Sequence, residues 1–486
     1  MLPGTGFKNE NEWHYFRYFN DNLAEALSGL IKTSLWKHYI PQLGELVPYV
    51  RNAMIALGAL SLSKTINPVS IAVNRYVPTS HELYAVSRYV KSLEGMRKAL
   101  TEEVDSRQIL IACLLVFCFE SLQGHQASAS IHASGGLEVV SRFIKNPGNK
   151  WIMPADKERS TRRTTNMLDE DLCAAYSGLD LHALLFIDTR SSLTHQRFKA
   201  NINAVVNNMP DNFKDIYEVA EFWQMILRRN CHFIAVAQSK LVELQVSTSL
   251  DFKDFETNLR PGNNPWTDPS IKSEDIPNYL YNERDEYILD MAKFQTAVGK
   301  ILSVHSSLDG GRGFFIAKLL EIQMEMSRIN LIYCFFPRSV EWDKYLETYR
   351  KIINSVHAVL PYLKQNANQN PTILPFSFDV GILPALTLVA NFCRFKVERE
   401  MALEIFDQIG EYREGIWDAV VCHQISKWLV RLEEEWRDAA GYIPEARRID
   451  FMSAHIDIGK KTAVLKGWQG DGIRPRVFLR EDLVEW

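Results

Sequence analysis

Apolar residues recur along most of this chain at the three-and-four spacing that marks one face of a helix. Near the start, Trp13, Phe16, Phe19 and Leu23 form such a stripe, which predicts a helix over residues 10–32. Few segments show the two-residue alternation of a half-buried strand. The pattern therefore predicts an all-α fold, built as a large multi-helix array.

The same periodicity predicts further helices, separated by glycine, proline and polar turns such as the one at Gly124. Asp379 is expected to cap the helix that follows it. Residues 462–468 and 476–479 predict a small extended or hairpin element. The predicted helices cover residues 48–63, 81–100, 101–120, 125–145, 168–188, 213–250, 283–308, 312–336, 340–363, 379–396, 399–410, 416–438 and 445–456.

Two polar stretches interrupt the helical pattern. Residues 151–165 are polar and aperiodic, and residues 251–279 are rich in proline, so both are expected to be loops. The first loop suggests a division of one helical domain, residues 1–486, into an N-terminal helical subdomain over 1–150 and a C-terminal one over 166–486.

Composition limits the classes of protein to which the chain can belong. Its 486 residues are 46% hydrophobic, enough for a large core, and its net charge of -4 provides no overall attraction for nucleic acid or an anionic membrane. Arg159, Arg162 and Arg163 form a local basic group too small to read a DNA sequence. The longest apolar run, residues 109–119, is too short to span a membrane. We expect no direct binding to nucleic acid and no membrane association.

The seven cysteines are scattered, and most lie in apolar helical segments, as expected of buried thiols in a reducing compartment. With no export signal evident at the start, this predicts an intracellular protein, nuclear or cytoplasmic. No two cysteines are separated by two residues, the spacing with which zinc clusters begin. The sequence therefore predicts no metal site, and it indicates no cofactor.

Six polar or aromatic residues are candidates for lining a pocket. His125 and His132 are seven residues apart, so they would share one helix face. Asp180 and His182 lie in an apolar segment with Asp188 and Arg190, where a structural ion pair and a ligand-binding or acid–base pocket are both open interpretations.

Trp417 and His423 are the remaining candidates, on a predicted helix whose acidic residues 433–435 are expected to face solvent. Each of the two is open to a packing role or a pocket role. No motif identifies a catalytic residue, so the catalytic residues stay unknown.

The order of several segments resembles a known family. FRYFNDNLAEALSG, ELYAVSRYVKSLEGMRKAL, RQILIACLLVFCFESLQGHQASASIHASGGLEVV, PFSFDVGILPALTLVANFCRF and EGIWDAVVCHQISKWLVRLEEEW follow one another as in the helical effector region of fungal zinc-cluster transcription factors. The resemblance implies a helical regulatory domain. The similar segments begin close to Met1, so we expect no zinc cluster and no DNA-reading residues.

Two functions remain open at this point. One is a transcription-regulator-like protein without a DNA-binding module of its own, acting through a small-molecule ligand, a protein partner or a homodimer. The other is a scaffold turned into an enzyme of secondary metabolism, such as a cyclase or isomerase acting on an apolar molecule in an internal pocket. A cavity lined by the six candidates would favour the enzyme, and a filled core with an exposed apolar patch would favour the regulator.

Overall fold

The structure is a computed structural model. It describes residues 7–29, 34–66, 78–101, 105–145, 167–186, 188, 190–248, 275–308, 310–335, 339–369, 376–457, 460–471 and 477–486. Arg159, Arg162 and Arg163 and most of the two predicted loops lie outside these ranges.

Helices make up most of the described chain, which confirms the all-α class. They are α1 Glu10–Tyr18, α2 Ala24–Leu27, α3 Ile40–Leu46, α4 Pro48–Ile66, α5 Ser80–Ala99, α6 Ser106–Gln123, α7 Gln126–Lys145, α8 Met167–Phe186, α9 Ser192–Val206, α10 Ile216–Thr248, α11 Asn278–Ser306, α12 Arg312–Tyr333, α13 Leu346–Gln369, α14 Leu383–Phe392, α15 Lys396–Ile409 and α16 Ala419–Glu434. Short π-helical turns at Phe19–Leu23 and Leu35–Tyr39 and 3-10 turns at Ser339–Tyr345 and Glu445–Arg447 complete the helical part.

Within the described ranges, six strands form two small sheets. β1 Phe376–Ser377, β2 Arg413–Glu414 and β3 Trp417–Asp418 make the first sheet. The second is antiparallel and consists of β4 Asp450–Asp457, β5 Thr462–Gln469 and β6 Phe478–Glu485, in that order.

Helix α6 is the central core helix. Every residue from Ile109 to Leu122 is buried, which explains its continuous apolar sequence. Gly124 ends the helix with a φ of 80°, a left-handed conformation that glycine adopts without strain. Among the described helices, α6 is the one long and apolar enough to cross a membrane, but 78% of that segment is buried inside the protein.

The main core is continuous across most of the chain. One cluster of buried side chains runs from Phe7 to Cys422, and so includes residues on both sides of the predicted boundary near residue 150. A second, smaller cluster joins α16 to the C-terminal sheet through residues such as Trp428 and Leu465. The division into two subdomains stays a prediction.

One predicted element is wrong, and one helix was missed. Residues 445–456 were expected to be helical, but a 3-10 turn is followed by β4, because these residues pair with β5 across the turn that contains Lys461. Helix α9 was not predicted, although Ser191 caps it by accepting a hydrogen bond from the Thr194 backbone.

The cap of α14 also differs from the prediction. Asp379 does not cap this helix; the carboxylate of Glu414, on β2, accepts hydrogen bonds from the backbone N–H groups of Gly381, Ile382 and Leu383 at 3.0, 2.7 and 2.9 Å. These bonds satisfy N–H groups that the first turn of a helix leaves without partners. A residue about thirty positions later in sequence therefore does what a local cap would do.

Candidate functional site

The six candidate residues lie at several separate places. His125, just before α7, is mostly exposed, with 61% of its side chain accessible, and its Nδ1 lies 2.8 Å from an oxygen of Glu120. That hydrogen bond raises the pKa of His125. His132 is half-buried on the same helix, and burial lowers its pKa. The second oxygen of Glu120 accepts a hydrogen bond from the hydroxyl of Tyr89.

Asp180 is the centre of a buried ionic cluster that joins α8, α9 and α10. Arg228 donates to its carboxylate at 2.9 and 2.8 Å, and Arg190 contacts it at 2.7 Å. The Nε2 of His232 lies 3.0 Å away. Burial alone would raise the pKa of Asp180, but the charges of Arg190 and Arg228 and the hydrogen bond from His232 hold this pKa well below its ordinary value. The carboxylate is therefore ionised, and arginines of the same chain supply its counter-charges.

Two histidines extend this cluster without adding charge. Burial lowers the pKa of His195 to about 4 and also lowers that of His232, so both rings are neutral at pH 7. His232 donates through Nε2 to Asp180, which leaves its Nδ1 to accept from Nδ1 of His195 at 3.0 Å. Asp188, next to His195, pairs with Arg190. Two carboxylates and two guanidinium groups balance, as a structural cluster requires.

His182 belongs to a different junction. It is fully buried on α8 and donates through Nε2 to the backbone carbonyl of Phe378 at 2.7 Å. Burial lowers its pKa to about 4, so it is neutral. Gly415, with a φ of 53°, lies against the imidazole so closely that an added Cβ would come within 2.5 Å of it. His182 thus fastens α8 to the segment between α13 and α14.

Trp417 and His423 pack against aromatic neighbours. The Trp417 ring lies edge-on to Phe186, with the ring centroids 5.3 Å apart, and it sits on β3 rather than on the predicted helix. His423, on α16, stacks on Phe406 with the centroids 5.6 Å apart, and burial lowers its pKa. The indole N–H of Trp417 and the Nε2 of His423 are buried and have no hydrogen-bond partner among the described residues.

Two charged sites were missed by sequence reasoning. Glu433 was expected to be solvated, but it is buried and accepts from Arg394 at 2.8 Å and from Arg399 at 2.6 Å. Burial alone would raise its pKa, but these charges lower it to about 2. Glu414 has the opposite shift, since burial raises its pKa to about 7 against the effect of its three backbone hydrogen bonds. Arg394 and Arg399 lie 39 and 34 residues from Glu433, too far for any local pattern to signal the pairing.

The cavities do not bring the candidates together. A cavity of about 20 Å³, room for a single water molecule, lies beside Leu181, Trp223 and Gln323. An open groove of about 260 Å³ lies between α11, α12 and α13, where Glu321, Glu325 and Lys351 line it. None of the six candidate residues lines either space. Among the described residues, no group of three or more histidine, cysteine, aspartate or glutamate side chains is arranged to hold a metal ion.

Comparison with known proteins places part of the chain in a family. Residues 14–214 match the family model of the fungal specific transcription factor domain. The aspercryptin biosynthesis cluster-specific transcription regulator of Emericella nidulans is 22% identical over 503 aligned positions, which cover 90% of this chain and 76% of that protein. No solved structure matches the chain. Residues 14–214, from α1 to the turn before α10, are therefore the part of this chain that is similar to the fungal specific transcription factor domain.

Proposed function

We propose that this chain is the effector region of a transcription regulator, that it controls genes for the biosynthesis of a small molecule, and that it acts through a partner. The observation that carries the proposal is the extent of the similarity. The match to the transcription factor domain covers residues 14–214, and the similarity to a biosynthesis cluster-specific regulator continues over 90% of the chain.

The chemistry of the buried polar groups supports a scaffold for regulation. The carboxylate of Asp180 is neutralised by arginines of the same chain, and His182 is bonded to backbone. Groups held in this way fix the packing of helices.

An exposed apolar stripe supports action through a protein partner. Leu83, Val86 and Val90 on α5 are 62, 43 and 45% exposed and lie at helical spacing. Grouped apolar side chains on a surface are typical of places where proteins meet.

The alternative of an enzyme acting on an apolar molecule gains no support from the cavities. Pockets that enclose a small molecule usually measure about 300–1,000 Å³. The cavity beside α8 has about 20 Å³, and the larger groove is open to solvent and lined by charged side chains. We therefore retain the regulator as the single proposed function.

A reporter assay tests the regulatory role directly. The whole chain would be fused to an unrelated DNA-binding module whose target site controls a reporter gene in a fungal host. We expect the fusion to change reporter output relative to the module alone and relative to the module fused to an unrelated helical protein of similar size. Output equal to both controls would contradict the proposal.

A second assay tests whether the chain itself binds DNA. We expect no salt-sensitive shift of duplex DNA, because the net charge of -4 supplies few of the phosphate contacts from which such binding gains its free energy. Micromolar or tighter binding at physiological salt would contradict the proposed dependence on a partner, while leaving the reporter result to decide the regulatory role. A fluorescent fusion in the same host should accumulate in the nucleus.

A further inference from the structure

Strand β6 is an open edge of the C-terminal sheet. It is eight residues long and pairs with β5 on one side. Among the described strands the sheet order is β4, β5, β6, so the second side of β6 has no neighbouring strand. The N–H and C=O groups along such an edge are a template for pairing with another strand.

The register shows which residues direct their backbone groups outward. The N–H of Trp486 donates to the carbonyl of Lys461 at 3.0 Å, one residue beyond the pair formed by Glu485 and Thr462. Hydrogen-bonded residues alternate along an antiparallel strand. Even-numbered residues of β6 therefore bond to β5, and Leu479, Glu481 and Leu483 direct their backbone groups to the open edge.

The same three residues share the face of the sheet that is turned away from α16. Asp482 lies on the inner face, where it accepts from the indole N–H of Trp428 at 2.6 Å. Because successive side chains alternate between faces, its neighbours lie on the outer face. Leu479 and Leu483 are 47 and 61% exposed, and Glu481 between them pairs with Lys466 at 3.1 Å. Exposed leucines on an open edge are uncommon in a strand that stays unpaired.

We propose that a second copy of this chain pairs with β6, the two strands running antiparallel about a two-fold axis at Glu481. In this register Arg480 of each copy lies opposite Asp482 of the other, so its positive charge adds to that of Arg431, which pairs with Asp482 in the same chain at 2.8 Å. Leu479 of each copy lies opposite Leu483 of the other, which gives two apolar pairs. Both kinds of cross-strand pair stabilise a sheet.

The neighbouring registers are less favourable. Residues that lie opposite each other in an antiparallel pair share one face of the sheet, so the two-fold axis must pass through a residue and not between two residues. An axis at Arg480 sets two guanidinium groups opposite each other, and an axis at Asp482 sets two carboxylates opposite each other, each paired with Arg431 of its own chain. The chosen register sets Glu481 opposite itself, and Lys466 contacts this carboxylate in each copy. Of the three registers, only the one centred on Glu481 sets leucine opposite leucine and arginine opposite aspartate, which identifies the partner as the same strand.

The pairing would join two three-stranded sheets into one of six strands. It goes beyond the proposed function and does not depend on it, because a dimer of this geometry can be measured without any reporter or DNA. Helix α5, with its exposed apolar stripe, takes no part in this strand pairing.

Disulfide trapping tests the register. In Glu481→Cys the two introduced residues would face each other with their Cα atoms about 5.5 Å apart, within the range of a disulfide. The seven native cysteines are all buried, so they do not compete for the reaction. In the matched variant Glu485→Cys, the two positions would be separated by eight residues along the strands, about 27 Å. We expect a covalent dimer from Glu481→Cys under mild oxidation and none from Glu485→Cys.

Sedimentation of the full chain tests the interface. We expect a wild-type dimer, weakened about tenfold or more by Leu483→Asp, which places further negative charge on the edge and removes both leucine pairs. Glu481→Pro should have the same effect, because it deletes an outward N–H and no bond to β5. Leu193→Asp, an equally exposed leucine in the first turn of α9, is the control and should leave the dimer intact.

Three results would overturn the proposal. They are a wild-type chain that remains monomeric at every concentration, a dimer that survives Leu483→Asp and Glu481→Pro, and equal trapping of the two cysteine variants. Far-ultraviolet circular dichroism tests whether each variant is folded. If Glu481→Pro unfolds, the sedimentation of Leu483→Asp alone decides whether β6 forms the interface.

Discussion

Replacing Asp180 with asparagine tests whether the buried ionic cluster holds α8, α9 and α10 together. The substitution keeps the shape of the side chain but removes the charge that Arg190 and Arg228 share. Breaking a buried, hydrogen-bonded ion pair from one side costs about 3–5 kcal/mol, because the remaining charge stays in the interior without compensation. We expect Asp180→Asn to lower the free energy of unfolding by that amount.

Thermal and urea unfolding give the measurement. With an unfolding entropy of about 2.1 cal/mol/K for each of 486 residues, the total is about 1 kcal/mol/K, so the midpoint should fall by about 3–5 °C. Asp211→Asn, at an exposed aspartate, is the matched control and should change little. Adding Arg228→Met to Asp180→Asn should recover part of the loss, because it removes one uncompensated charge. A loss below about 1 kcal/mol, the range of an exposed ion pair, would refute the assigned role.

Three further predictions concern pH and packing. Glu414 has a pKa raised to about 7, so its contribution to the free energy of unfolding is fully present below pH 4.5 and is lost as pH rises through 7. The difference in this free energy between wild type and Glu414→Gln should fall by about 3 kcal/mol across that window. A difference that stays constant with pH would contradict the prediction. Glu433 has a pKa lowered to about 2, so the difference between wild type and Glu433→Gln should shrink by about 3 kcal/mol as pH falls from 4.5 to 2, with urea midpoints as the measurement. Gly58→Ala should destabilise the protein by about 1–3 kcal/mol, because the added Cβ would overlap the Tyr15 carbonyl. Gly135→Ala, with open space around it, should stabilise α7 by about 0.5–1 kcal/mol. Equal melting temperatures of the two variants would show that Gly58 does not set the approach of α1 and α4.

The helical class was predictable because it depends on local patterns. Apolar spacing and the stop at Gly124 identified α6 and its neighbours without any knowledge of what they pack against. The error at residues 445–456 has the opposite origin. This segment has residues that suit a helix, and it becomes a strand only because β5 lies across the turn at Lys461.

The polar sites were predictable only in part. The sequence identified Asp180 as a charge that needs partners, and it left a structural ion pair open. It could not supply Arg228 and His232, because they lie 48 and 52 residues away and meet Asp180 only when α8 and α10 pack. Glu414 was missed for the same reason. Its hydrogen-bond donors are backbone N–H groups at the start of a separate helix, and backbone groups leave no pattern in the sequence.

The continuity of the core across residue 214 has a practical consequence for anyone who expresses the family domain alone. A fragment ending there would retain Asp180 but lack Arg228 and His232, so a buried carboxylate would lose most of its hydrogen-bond donors. It would also lack Trp223, whose fully buried ring packs in the same core. We therefore expect the segment matched by the family model to be smaller than the unit that folds, and we expect soluble protein only from fragments that retain α10 and the helices packed on it.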